Sequence, residues 1–153
     1  MFLFGRKKRP LIDDAAQERI VQAIREAEQK TTGEVRVYIE SHCSYMDAID
    51  RAREIFDNLQ MDQTERRNAV LVYLAIADRQ FAIFGDKEIY EKAGGPAFWQ
   101  SAADKMQVQL RAGMLIEGLC NCVAELGNAL AKHFPYDPQV TKNELPDEIV
   151  FGK

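Results

Sequence analysis

Between Asp13 and Lys30 the apolar positions Ala16, Ile20, Ala23, Ile24 and Ala27 share one face of a helix, which Asp13 or Asp14 can cap and Gly33 brings to an end. The period then shortens to two. Val35, Val37 and Ile39 alternate with Arg36, Tyr38 and Glu40, predicting a strand with one face buried and the other amphipathic or wet. Helical spacing returns at Ala48, Ile49, Ala52, Ile55, Phe56 and Leu59, with Ser44 as its cap. After the polar loop MDQTERRN, residues 69–76 read AVLVYLAI, an unbroken apolar run of strand length that predicts a central strand covered on both faces. A helix between two strands implies a right-handed parallel crossover.

The polar break at 77–80 separates this run from FAIFG, and so short a gap predicts an antiparallel hairpin. DKEIYEKA predicts a short helix ended by Gly94, Gly95 and Pro96, and two helical stretches follow at 97–110 and 114–133. Past Phe134 three prolines and the loss of helical period predict an extended tail. The expected organisation is a flexible segment over 1–10, a domain over 11–135, and a tail over 136–153 that packs on or near it. The fold class is α/β: a three-layer α/β/α sandwich on a small mixed β-sheet.

Composition narrows the function. Apolar residues at 46% and charged residues at 29% belong to a globular chain, and a net charge of −4 without a long basic stripe excludes nucleic acid as a partner. Cys43, Cys120 and Cys122 lack the spacing of a zinc site or a disulfide framework, as expected of buried thiols in a reducing compartment. MFLFGRKKRP sets apolar residues before basic ones, the reverse of a secretory signal, and no apolar run is long enough for a transmembrane segment. A cytoplasmic location is expected, with weak membrane-surface contact by the N-terminus.

The sequence lacks a phosphate loop, a dinucleotide fingerprint, a nucleophile elbow and a paired-histidine zinc motif. Strand direction offers two other places for chemistry. If the first two strands are parallel and the third returns, Glu34, Asn68 and Asp86 meet at one edge of the sheet as hard oxygen donors suited to Ca2+ or Mg2+. Ser41, His42, Cys43, Ser44 and Asp78 converge at the opposite edge, outside the carboxyl ends of the parallel strands. Solvated charges are the plain alternative, with Glu34 paired to Arg66 or Arg67 on the surface.

In order and spacing, several stretches resemble the TPM domain family. They are Thr32-Gly33-Glu34-Val35-Arg36-Val37, Arg67-Asn68-Ala69-Val70-Leu71, Asp78-Arg79, Gly85-Asp86, Trp99, Gly118-Leu119 and His133-Phe134-Pro135, together with the ending from Asn143 to Lys153. The resemblance implies an α/β/α sandwich. It also implies a divalent cation on acidic loops and the acid phosphatase activity described for plant lumenal relatives. Carried onto this chain, it assigns the metal to Glu34, Asn68 and Asp86, with Asp78 next. Many members have Asn-Gly where this chain has Asn68-Ala69, and longer members carry a signal peptide and a membrane anchor.

Two functions are therefore expected to compete. One is a divalent-cation-binding module that assembles or maintains a protein or membrane complex. The other is a metal-assisted phosphatase acting on phosphomonoesters, with Arg67 or Lys87 neutralising substrate charge.

Overall fold

The computed structural model describes residues 11–140 and 145–152. The segment over 1–10, with its expected flexibility and membrane contact, lies outside them. Four strands form one sheet in the order β3-β2-β1-β4. β1 (Glu34–Glu40) and β2 (Ala69–Ala75) are parallel and joined through α2 (Ala48–Asn58). β3 (Gln80–Gly85) returns antiparallel to β2 as a hairpin. One face of the sheet packs on α1 (Asp14–Glu28), α4 (Pro96–Arg111) and α5 (Leu115–His133), and the other on α2. The result is the three-layer α/β/α sandwich on a mixed sheet.

The strands separate two cores. Val35, Val37, Ile39, Val70, Val72 and Leu74 meet the three-helix layer at Ile20, Ile24, Met106 and Leu126. Leu71, Tyr73 and Ala82 meet Ile55, Phe56, Met61 and Leu145 on the other side. β2 supplies both cores and is buried along its whole length, as its unbroken apolar run requires.

Several local expectations change. α1 ends at Glu28, and Gly33 lies beyond it at the entry to β1. Asp47, and not Ser44, occupies the N-cap of α2, and Ile49 faces solvent on the helix's outer side. Pro96 begins α4 instead of ending α3 (Lys87–Lys92), because its missing N–H costs nothing in a first turn. On the polar face of β1, Glu34 and Glu40 are buried and Arg36 and Tyr38 half-buried. α2 and Leu145 cover that face, while the tail adds β4 (Val150–Phe151) at the open edge, parallel to β1, where Gly152 donates its N–H to Ile39 O at 2.8 Å.

α1 and α5 touch most closely where Gly127 faces Ala27. A Cβ at 127 would lie 2.6 Å from the Ala27 Cβ and 2.8 Å from its Cα. Helix propensity favours Gly127→Ala by about 1 kcal/mol, whereas the clash with backbone costs about 1–3 kcal/mol. The clash is expected to win, lowering the urea midpoint at unchanged m-value; a more stable variant would show that the helices separate freely.

Candidate functional site

The lower rim of the sheet is built by register. Glu34 opens β1 opposite Ala69, Asn68 precedes β2, and Gly85 closes β3 opposite Val70, so Asp86 follows at the same edge. The Asp86 N–H bonds Ala69 O at 2.9 Å and fixes that meeting. Glu34, Asn68 and Asp86 thus share one rim, and all three are buried.

Each of the three already has a protein partner. Arg67 grips Asp86 with both arms, Nε to Oδ2 and Nη2 to Oδ1, each at 2.8 Å. Asp86 Oδ1 also accepts the Lys87 N–H at 2.7 Å as the cap of α3. Glu34 Oε1 accepts the Leu145 N–H at 2.7 Å, which pins the tail beneath the sheet. Asn68 Nδ2 donates to Thr32 Oγ1 at 3.1 Å. A bidentate guanidinium is the strongest competitor a cation can meet for a carboxylate. Among the described residues, no three His, Cys, Asp or Glu side chains are arranged to enclose an ion. As arranged, Asp86 would have to leave Arg67 before it could bind a cation.

Asp78 belongs elsewhere. It sits in the β2–β3 turn at the upper rim, where its Oδ1 lies 2.9 Å from His42 Nδ1 and its Oδ2 accepts the Cys43 N–H at 2.7 Å. The hydrogen bond from His42, then that from Cys43, hold its carboxyl below the usual range. It cannot join the other three as a ligand, because the length of β2 separates them.

The upper rim also holds a buried ionic cluster that the alternation of β1 concealed. Arg51, on the first turn of α2, forks onto Glu40 at 2.9 and 3.0 Å, and the Tyr73 hydroxyl donates to the same carboxylate. Burial alone would raise the Glu40 carboxyl, but the bonds from Arg51 and Tyr73 outweigh it and hold the group below its ordinary value. The one available signal was Tyr73, a hydroxyl inside an apolar run that must find a partner.

Beside this cluster the loop rises into solvent. Tyr45 is fully exposed with a backbone φ of 70°, and Met46 and Ile49 are exposed with it. Of the thiols, Cys122 is pushed up to about 12 by burial, and Cys43 Sγ donates to Met46 O at 3.2 Å.

The overall fold agrees with the comparisons. Residues 7–129 match the TPM domain. The chain belongs to the TPM domain family. BA42 from the psychrophilic bacterium Bizionia argentinensis, solved by NMR, is 38% identical over 95% of this chain and 99% of its own, with a TM-score of 0.86. The N-terminal domain of cg2496 from Corynebacterium glutamicum matches at 13% identity over 90% of this chain and 93% of its own, with a TM-score of 0.64. An N-terminal domain from P. gingivalis matches at 17% identity over 83% of both chains, with a TM-score of 0.66. Those two likenesses bear on the TPM fold alone. No curated protein matches the chain. Among the described residues of this TPM domain, no helix is long and apolar enough to cross a membrane.

The ionic cluster has a measurable signature. Arg51→Met leaves Glu40 buried without its counter-charge, at an expected cost of about 2–4 kcal/mol near neutral pH. Because the folded Glu40 lies below the ordinary carboxyl value of 4.5, its contribution is present above that value and lost as pH falls through the folded one. Glu40→Gln should therefore flatten part of the acid limb of a urea stability profile; an unchanged limb would assign the acid sensitivity to other groups.

Proposed function

We propose that this TPM domain is a binding module that helps assemble or maintain a protein or membrane complex, without turnover. The observation that carries the reading is Tyr45, an aromatic side chain held entirely in solvent with Met46 and Ile49 beside it. A left-handed φ is costly for an aromatic residue and persists only where surrounding structure imposes it. Here Asp78 ties down the start of the loop through Cys43. Exposed aromatic and methionine side chains on a fixed loop suit the apolar centre of a protein interface.

The phosphatase reading has less to stand on. Asp86, its expected metal ligand, is held by Arg67, and hydrolysis needs an activated nucleophile or water. With Mg2+ or Ca2+ present, hydrolysis of a chromogenic phosphomonoester is expected to remain at background and to be unaffected by Asp86→Asn. Metal-dependent turnover that this change abolishes would replace the binding reading with the enzymatic one. A photo-reactive residue at position 45 is expected to yield a discrete cross-linked adduct in cells, diminished by Ile49→Asp, whereas the same probe at exposed Glu18 yields none.

A cation at the lower rim would have to compete with Arg67 for Asp86. Amide NMR is expected to show Arg67→Ala binding Ca2+ at least threefold more tightly than the unaltered chain, as judged from residues 34, 68 and 86. Equal affinities would mean that the Arg67–Asp86 pair is not what limits the rim.

A further inference from the structure

Where the tail crosses β1, two acids face each other. Glu28, in the last turn of α1, is 4% exposed, and its Oε2 accepts the Val35 N–H at 2.9 Å. Its other oxygen, Oε1, is buried with no N–H or hydroxyl donor, and so is Oδ1 of Asp147 in the tail. The two carboxyls lie within hydrogen-bonding reach of one another. Two buried carboxylate oxygens can only repel, whereas one proton between them makes a short, charge-assisted hydrogen bond. The pair stands between the two points where the tail is fixed to β1, Leu145 on Glu34 and Gly152 on Ile39.

We propose that Glu28 keeps its proton and donates it to Asp147, and that this shared proton fastens the C-terminal strand to the sheet, so that its loss releases the tail. The surrounding charges favour retention. Glu34 approaches from β1 and disfavours a second negative charge, while Arg25 of α1 lies 3.7 Å from Asp147 Oδ2 and supports the ionised partner. Arg36 of β1 is drawn to Glu148 and Glu34. α5 meets this end of α1 through the apolar contact of Gly127 with Ala27, and Lys30 just beyond α1 donates to Asn128 Oδ1 at 3.1 Å.

Burial, then the bond to Asp147, raises the Glu28 carboxyl to about 9. For an acid raised in the folded state the stabilisation is complete below its ordinary value of 4.5 and is lost as pH climbs toward 9. Release would uncover the edge of β1 at Tyr38 and Ile39, where β4 now pairs.

The test is amide exchange on the full chain, corrected for intrinsic rates. Protection of the Leu145 and Gly152 amides should fall more than tenfold between pH 6 and 9, up to about tenfold per unit, while that of the β2 amides holds. Glu28→Gln can still accept from Val35 and donate to Asp147 without a titrating proton, so its tail should stay protected across that range; Asp147→Asn should behave alike. The Glu28 side-chain carboxyl carbon of the unaltered protein should titrate well above 7. Titration near 4.5, or a tail equally protected at both pH values, overturns the proposal. Protection restored at pH 9 by millimolar Mg2+ would also overturn it, by showing that a cation and not a proton joins the pair.

Discussion

The structure turns on the burial of one strand's polar side. Glu34, Arg36, Tyr38 and Glu40 project from the face of β1 opposite its valines, and that face is covered. Buried polar groups must be hydrogen-bonded or paired, and a charge without a partner costs far more than any apolar contact returns. Neighbouring elements supply partners to the two glutamates of this row, while Arg36 Nε stays buried without a hydrogen-bond partner. Arg51 comes from α2 for Glu40, Tyr73 from β2 for the same carboxylate, and the Leu145 N–H from the tail for Glu34. α2 and the tail therefore hold to the sheet through polar contacts as well as through the smaller apolar core.

This constraint also keeps the rim acids engaged with the protein itself. Catalytic carboxylates need an oxygen free for a proton, a metal or a substrate. Asp86 caps α3 while binding Arg67, Asp78 fixes the loop after β1, and Glu40 anchors α2. With these acids occupied by the scaffold, Tyr45, Met46 and Ile49 stand exposed at the crest of the β1–α2 connection, among the polar side chains of His42, Ser44 and Asp47.

Much of the frame was legible because its signals are local. The unbroken apolar run over 69–76 declared β2, and the four-residue break before FAIFG declared the hairpin. Those two directions were enough to bring Glu34, Asn68 and Asp86 to one edge. Partnership was not legible. Nothing in the alternation of β1 distinguishes a wet Glu40 from one clasped by Arg51, and a glutamate ending an amphipathic helix gives no sign that it will face Asp147 from the far end of the chain. β4 escaped for a related reason: two residues carry no period, and the strand exists only because β1 offers an open edge. The α2 cap was misplaced because Ser44 and Asp47 suit the position equally by residue type, and the turn between them decides.

The seating of Gly152 bears on how the chain is made. A Cβ there would fall 2.5 Å from the Tyr38 hydroxyl and 2.9 Å from Glu40, so the residue after β4 fits closely over a strand made much earlier in the chain. On a ribosome, β1 emerges long before its cover and must wait, unsatisfied along one border, while the rest of the domain is translated. Quality control acting on the nascent protein would meet an incomplete sheet until β4 has emerged.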